Sequence, residues 1–150
     1  MRYILHYYAA MILCTMLMVT PALGHDLASY RWKNRILLIF SPTDSNSDFE
    51  AFNQSLAREL SEVKLRDLIL LRVFETAPSF IEDKPLSPED AEKLRDRFRV
   101  RSGHLTVILI GKDGGVKMIS EDQVELQEIF NLIDSMPMRQ QEMMEKGRTQ

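Results

Sequence analysis

Short apolar runs alternate with amphipathic segments along most of the chain. Ile36–Phe40, Leu68–Phe74 and Leu105–Ile110 are almost entirely apolar, which is typical of strands covered on both faces. A shorter run, Val116–Ile119, follows the turn sequence GKDGG. That turn between two apolar runs predicts a hairpin. The alternation of strand and helix patterns indicates an α/β domain with a mainly parallel sheet.

The amphipathic segments predict three helices. The sequence SDFE has the pattern of a capping box with the hydroxyl of Ser47 at the cap, and apolar residues then recur at helical spacing. Ser87–Pro88 opens the second helix with a hydroxyl cap and a proline at the first helical position. Ser120 and Gln123 form a capping box for the third helix. Pro137 ends or kinks this helix, and a short helix that frays is predicted beyond it, with residues 146–150 disordered.

The predicted order of elements is β-α-β-α-β-β-α. Right-handed crossovers make the first three strands parallel and place the fourth antiparallel at an edge. The result is a thioredoxin-like fold, with a four-stranded mixed sheet flanked by helices. Pro78 and Pro85 predict an irregular connection after the second strand. Within it, Phe80 and Ile81 either pack against the sheet edge or form an exposed binding patch.

The first 24 residues have the pattern of a secretory signal peptide. Arg2 gives a positive start, Ala9–Val19 is apolar, and Ala22–Gly24 has the small-x-small pattern of a cleavage site. The apolar stretch is shorter than the roughly 20 residues that a membrane-spanning helix needs. Cleavage is therefore favoured over an uncleaved anchor, with a mature chain that begins at His25. We expect export to the periplasm or the medium, no stable membrane insertion, and one domain over residues 25–145.

Composition narrows the chemistry of the mature chain. Cleavage removes Cys14, the only cysteine of the sequence, so the mature chain has no disulfide, no thiolate nucleophile and no cysteine metal site. Cleavage also removes Arg2, which changes the formal net charge from −3 to −4. That mild acidity argues against a nucleic-acid partner. We expect no cofactor, and a protein is the kind of partner that remains.

Two segments resemble known thioredoxin-like proteins. RFRVRSGHLTVILIGKDGGV, residues 97–116, is similar to the thioredoxin and peroxiredoxin segment that leads into the third strand and its hairpin. LLIFSP, residues 37–42, resembles the strand before a peroxiredoxin active-site loop. Residues 26–145, including the tail DSMPMRQQEM, resemble bacterial members of the P-DUDES family, thioredoxin-like domains of unknown function related to domains in equarin and in sushi-repeat extracellular proteins. The resemblance implies a fold and no established activity.

The chain departs from active thioredoxins at two places. The positions from Ser45 to Asp48, where the redox cysteine would lie, hold no cysteine. Because thiol–disulfide exchange needs a thiolate, that chemistry is excluded. The proline that usually precedes the third strand is replaced by His104–Leu105. A cis bond without proline costs about 2.5–4 kcal/mol, so this bond is expected to be trans.

The candidate binding residues are Thr43, Asp44, Ser45 and His104, and no catalytic residue is assigned. In a thioredoxin-like fold the loop before the third strand lies beside the loop after the first, so His104 can face the polar loop. The alternative is a cysteine-free enzyme in which His104 activates a loop hydroxyl. No nucleophile-elbow or triad pattern supports that enzyme.

Three further features have two readings each. Asp44, Asn46 and Asp48 are spaced like the start of a calcium loop, but the glycine and the bidentate glutamate of that motif are missing, and a helix terminus explains them. The basic run KLRDRFRVR is either a solvated helix face paired with nearby acids or an anion-binding patch. The methionines of the tail are either packing residues or soft metal ligands; they are Met136, Met138, Met143 and Met144.

The sequence therefore favours an exported thioredoxin-like domain without redox cysteines. Its expected role is that of a non-catalytic binding or adaptor module. The alternatives are a cysteine-free enzyme using loop hydroxyls and His104, and a soft-metal protein using the methionine tail.

Overall fold

The computed structural model describes residues 27–121 and 125–148. A 3₁₀ helix over Leu27–Tyr30 precedes the first strand. The strands are β1 (Arg35–Ser41), β2 (Leu68–Phe74), β3 (Ser79–Ile81), β4 (Lys84–Leu86), β5 (Thr106–Ile110) and β6 (Val116–Ser120). The helices are α1 (Ser47–Arg58), α2 (Leu60–Leu65), α3 (Pro88–Phe98), α4 (Leu126–Ser135) and α5 (Pro137–Arg148).

The strands form one six-stranded mixed sheet in the order β4-β3-β2-β1-β5-β6. β1 and β2 are parallel, and Arg35 pairs with Leu68. Every other neighbouring pair is antiparallel. All seven residues of β1 are buried, as its apolar run predicts. The mixed sheet flanked by helices is present, with six strands rather than four.

Alternate residues of β1 supply two apolar clusters on opposite faces of the sheet. On one face, Leu37 and Ile39 pack with residues of α1, α2 and α4. On the other face, Ile36, Leu38 and Phe40 pack with residues of α3 and the 3₁₀ helix. Each fully buried side chain of this size contributes about 1.5–3 kcal/mol. The period-two alternation of one strand therefore fixes both helical layers.

The third long strand runs against its predicted direction. β5 is antiparallel to β1, with Phe40 opposite Thr106. α3 ends at Phe98, and its C-cap residue Arg99 has left-handed backbone conformation with φ 52°. The chain then returns to the end of the sheet at which β2 finishes. There the amide of Gly103 donates a hydrogen bond to the carboxylate of Glu75 at 2.9 Å. β5 starts from that end, so the crossover rule does not apply. β6 is antiparallel at an edge, as predicted.

The connection predicted to be irregular contains the β3–β4 hairpin. Pro85 pairs with Phe80 in β4, which is an edge strand and tolerates the missing N–H of proline. Ile81 is buried and Phe80 is partly buried against the core. These two residues therefore pack on the sheet and do not form an exposed patch.

The first helix is capped by Asn46 rather than by Ser47. The Oδ1 atom of Asn46 accepts from the amides of Asp48 and Phe49 at 3.1 Å each, and Ser47 is the first residue of the helix. Asparagine is as good a cap as serine, so the register of the helix decided between them. The predicted cap at Ser87 is confirmed, because the Ser87 hydroxyl accepts a hydrogen bond from the backbone amide of Asp90 in the first turn of α3.

The last two helices differ from the prediction at their boundaries. Ser120 ends β6 and α4 begins only at Leu126, so Ser120 is not its cap; Gln123 lies outside the described residues. α4 ends at Ser135, which confirms that Pro137 stops the helix. α5 continues to Arg148, past the predicted domain boundary. Within the described ranges, no helix has the length and apolar character needed to cross a membrane, and the predicted signal peptide lies outside them.

Candidate functional site

Three loops meet at one end of the central strands. β1 ends at Ser41 and β2 ends at Phe74, and the parallel register places these residues side by side. The pairing of Phe40 with Thr106 brings the start of β5 to the same end. We call this region the loop end; its loops are residues 42–46, 75–78 and 99–105.

Hydrogen bonds join the first two loops. The carbonyl of Pro42 accepts from the amides of Glu75 and Thr76 at 3.3 Å each. The Ser41 hydroxyl donates to the carbonyl of Thr43 at 2.8 Å. These bonds continue the β1–β2 pairing beyond the strands. Side chains on the first loop are therefore held by a rigid scaffold, the usual arrangement of binding residues.

The carboxylate of Glu75 joins the third loop to α3. It accepts from Arg95 Nη2 at 2.7 Å and from the amide of Gly103 at 2.9 Å. The side chains of Glu75 and Arg95 are only 22% and 15% exposed. A cleft of about 750 Å³ lies beside this pair, between the second loop and α3, and its apolar lining includes Phe74 and Pro78.

The predicted candidate residues all lie at the loop end. Asp44, Ser45 and His104 are exposed, and Thr43 is half-buried. The hydroxyls of Thr43 and Ser45 lie 3.3 Å apart. Within the part of the chain that the structure describes, the His104 side chain makes no hydrogen bond to these hydroxyls or to another group. A general base needs to reach the proton that it removes, so the loops are adjacent as predicted but no nucleophile–base pair is assembled.

The backbone before β5 also differs from that of a thioredoxin. No peptide bond in the described ranges is cis, which confirms that the His104–Leu105 bond is trans. Leu105 is buried, whereas His104 is exposed. The surface here is therefore built by an exposed imidazole on a trans bond and not by a cis proline.

Neither the calcium-loop hypothesis nor the methionine-ligand hypothesis gains support from the geometry. The Oδ1 atom of Asn46 is occupied by the helix cap, and the described residues contain no group of three or more His, Cys, Asp or Glu arranged to hold an ion. Met136 packs against the core. Met138, Met143 and Met144 are 40%, 40% and 59% exposed on α5. At about 100° per residue these three point to different sides of the helix.

The basic run is divided among separate ion pairs. Lys93 pairs with Glu89 at 2.6 Å, four residues away on α3, and Arg101 pairs with Glu121 at 3.3 Å. A third member of the run, Arg95, bonds to Glu75 as described above. This distribution agrees with a solvated helix face rather than with a shared anion patch.

A cluster of buried charges lies at the opposite end of β1. Arg35 is 1% exposed, and both of its Nη atoms bond to the carboxylate of Glu142 in α5 at 3.2 Å. Lys112 in the β5–β6 turn bonds to Glu142 and to Asp67 at 2.8 Å each. Burial raises the pKa of Glu142, but the hydrogen bonds from Lys112 and Arg35 outweigh it, and the pKa is lowered overall.

The same cluster holds the C-terminal helix on the domain. Arg139 is the buried residue of α5. Its guanidinium bonds to Asp134 of α4 at 3.1 Å and to the carbonyl of Leu65 at 3.0 Å. α5 is therefore attached by charged side chains more than by an apolar face.

A family model matches residues 26–142, and its description is a domain of unknown function, DUF4174. The chain belongs to the DUF4174 family. A curated relative, coiled-coil domain-containing protein 80 of Danio rerio, is 26% identical over 138 residues. The match covers 81% of this chain but 16% of the zebrafish protein. The chain thus spans about a sixth of the length of that relative.

Solved peroxiredoxins share the fold of this DUF4174 domain. The reduced 2-Cys peroxiredoxin of Plasmodium vivax is 20% identical with a TM-score of 0.57, over 73% of this chain and 68% of that one. Thioredoxin peroxidase I of Plasmodium yoelii is 22% identical with a TM-score of 0.57, over 73% and 76%. The mitochondrial 2-Cys peroxiredoxin of Plasmodium falciparum is 17% identical with a TM-score of 0.55, over 73% and 79%. These matches confirm the predicted thioredoxin-like fold.

Sequence reasoning missed the residues that organise the loop end of the DUF4174 domain. Glu75 comes directly after the apolar run of β2, as Ser41 ends that of β1. A polar residue at the carboxyl end of a predicted parallel strand could have indicated the site, because parallel strands bring their carboxyl ends to one edge of the sheet. The partner Arg95 is 20 residues away in a run that already had acidic neighbours on its own helix, so no sequence pattern singled it out.

Proposed function

We propose that this DUF4174 domain is an exported, non-catalytic binding module that recognises a protein partner at the loop end. The observation that supports the proposal most is the exposure of Asp44, Ser45 and His104 on loops that hydrogen bonds join to one another. Rigid loops with exposed polar side chains suit recognition. The described residues contain no cysteine, so the loop end cannot carry out thiol exchange.

Activity assays test the non-catalytic half of the proposal. Peroxide consumption with thioredoxin and its reductase, insulin reduction and hydrolysis of an activated ester should all proceed at the rate of buffer. A rate above buffer that falls in His104→Ala would overturn the proposal and would establish the cysteine-free enzyme instead. No observation favours the methionine-based metal protein.

Site-specific photo-crosslinking tests the binding half. A benzophenone amino acid is placed at Asp44 in the loop end, and at Lys146 of α5 as the control, in the cell that exports the protein. We expect a discrete protein adduct from position 44, lost when His104 is also changed to alanine, and none from position 146. The proposal is wrong if position 44 gives no adduct or if both positions give the same one.

Export is supported by the N-terminal pattern of Arg2, the apolar Ala9–Val19 and Ala22–Gly24. Intact-mass measurement of the protein from its own host should give a chain that begins at His25. A chain that retains Met1 in the membrane fraction would refute this part without affecting the binding experiment.

We also propose the P-DUDES type as the finer assignment within DUF4174. The segments at residues 37–42 and 97–116 support it, as does a relative in which the matched region is 16% of a longer protein. The structure of an accepted P-DUDES domain tests the assignment. The same six-strand order with an antiparallel β5 would support it, and a different order would contradict it.

A further inference from the structure

A cavity of about 490 Å³ lies between the β5–β6 turn and the point where α4 passes into α5. We call it the junction cavity. Residues 136–138, which read methionine, proline, methionine, form its apolar wall. Arg35, Lys112 and Lys117 line it from the sheet and the turn. Its volume is within the range of about 300–1,000 Å³ that is typical of small-molecule sites, and it lies at the opposite end of β1 from the loop end.

A β-bulge directs Lys117 into the junction cavity. The bulge lies in β6 between the partners of Leu109 and Ile110, and Lys117 is the residue that it leaves unpaired. Bulges often change the direction of a side chain next to a functional site. The Lys117 side chain lies across Gly111, where a Cβ atom would come within 2.5 Å of Lys117 Cε. The bulge and the glycine together therefore let an ammonium group reach the cavity.

The two lysines of the cavity keep unused hydrogen-bond donors. Lys117 Nζ bonds to Asp113 at 2.6 Å, which uses one of the three N–H groups of an ammonium. Lys112 Nζ bonds to Asp67 and to Glu142 at 2.8 Å each, which uses two. Among the described residues neither ammonium has a further partner. Three N–H groups are therefore left for an acceptor in the cavity.

The charges that line the junction cavity are positive on balance. Three cations and one carboxylate, that of Asp113, line it in the described part of the chain, a net charge of +2. Asp67 and Glu142, which pair with Lys112 from the side of the domain, are not lining residues. An anionic group is therefore favoured beside the lysines, while the opposite wall at residues 136–138 favours an apolar group.

We propose that the junction cavity binds a small amphipathic anion, a medium-chain alkyl carboxylate. The carboxylate accepts hydrogen bonds from the free N–H groups of Lys112 and Lys117, and such charge-assisted bonds are the strong ones. The alkyl chain lies against Met136 and Met138, whose unbranched side chains adapt to apolar groups of different shape. An inorganic anion would leave this wall uncovered, and a neutral lipid would leave the donors without an acceptor.

Titration of the purified protein with sodium octanoate, followed by the methionine methyl resonances in NMR spectra, tests the proposal. We expect the methyl groups of Met136 and Met138 to shift together. Met143 and Met144 do not line the cavity, so their methyl groups should not shift. Acetate lacks the chain and octanamide lacks the charge, and each should bind at least about tenfold more weakly than octanoate. From butyrate to octanoate, each added methylene should raise the affinity roughly threefold.

Substitutions in the Lys117–Asp113 pair give effects of opposite sign. Lys117→Gln should weaken octanoate binding about tenfold. Asp113→Asn should strengthen it, because Lys117 then loses the carboxylate that competes with the ligand. A purely structural role of the pair would not make the two variants differ in sign. Lys93→Gln is the matched control, since Lys93 also forms a 2.6 Å ion pair with a carboxylate four residues away, but on α3.

The other outcomes contradict the proposal. Absence of a shift at Met136 and Met138 means that the cavity does not bind the carboxylate. Equal binding of octanamide means that the anion is not recognised, and equal shifts at Met143 and Met144 mean adsorption to the whole surface. An affinity that neither Lys117→Gln nor Asp113→Asn changes places the ligand elsewhere. Far-UV circular dichroism checks the fold of each variant; if Lys117→Gln does not fold, stronger binding by Asp113→Asn decides the question.

Discussion

Replacement of Glu142 by glutamine is expected to release the C-terminal helix. The Glu142 carboxylate accepts two bonds from Arg35 and one from Lys112. Those cations are 1% and 10% exposed, whereas Glu142 itself is 21% exposed. The variant keeps the shape of the side chain and removes its charge, which leaves two buried cations without their shared anion.

The size of the effect follows from burial. Removal of one partner from a buried ion pair costs about 3–5 kcal/mol. Because Lys112 keeps its bond to Asp67 at 2.8 Å and Glu142 is not fully buried, we expect a somewhat smaller cost, about 2–4 kcal/mol. α5 has Arg139 as its buried residue, so little apolar contact remains to hold the helix in place.

Urea unfolding followed by circular dichroism measures the global loss, and hydrogen exchange measures the local one. The amides of α5 should exchange faster in Glu142→Gln while those of β1 stay protected. Glu89→Gln is the control, since the Lys93–Glu89 pair is exposed and such pairs contribute little. The combined change Arg35→Met and Glu142→Leu should cost less than Glu142→Gln, because no unpaired guanidinium is then left buried at position 35 and Lys112 keeps its bond to Asp67. If Glu142→Gln is as stable as Glu89→Gln, α5 is not held by this cluster.

Three other predictions follow from single contacts. Asn46→Ala should lower the free energy of unfolding by about 0.5–2 kcal/mol, and Ser47→Ala by less, because Asn46 supplies the cap; equal losses in urea melts would contradict this. The lowered pKa of Glu142 stabilises the fold above the unfolded-state pKa of about 4.3, and that stability is lost as the pH falls through the folded-state value. Thermal melts of wild type should therefore fall more steeply below about pH 4 than those of Glu142→Gln. Gly114→Ala should cost more than about 1 kcal/mol, since φ is +82° there, while Gly147→Ala in α5 meets nothing within 4 Å and should be neutral or stabilising.

The fold could be predicted where local pattern decides it. The apolar runs located β1, β2 and β5, since strands covered on both faces are almost continuously apolar, and the turn GKDGG located β6. The direction of β5 could not be read, because it depends on the left-handed turn at Arg99 and on the bond from Gly103 to Glu75. The β3–β4 hairpin was hidden by Pro78 and Pro85, which exclude a central strand but not a short edge strand.

The location of the candidate residues could be predicted from the sequence, but the hydrogen bonds around them could not. The adjacency of His104 to the polar loop follows from the fold. Which side chain caps α1 depends on where the helix starts, and Asn46 and Ser47 are both good caps. The charge cluster could not be predicted from the sequence, because Arg35 and Glu142 are 107 positions apart. In addition, the sequence does not distinguish a buried arginine at the start of a strand from a solvent-exposed one.

The two ends of β1 are held by different kinds of interaction. A mutation that removes a charge at one end is therefore expected to leave the other end unchanged. At the loop end the main interactions are backbone hydrogen bonds to Pro42 and the uncharged helix cap of Asn46. The Glu75–Arg95 ion pair adds a charged interaction there. At the other end, α5 depends on ionised side chains. Loss of the Glu142 charge should therefore free α5 without moving the loops, and the crosslink from position 44 should persist in Glu142→Gln. Loss of that crosslink would show that α5 and the loop end form one cooperative unit.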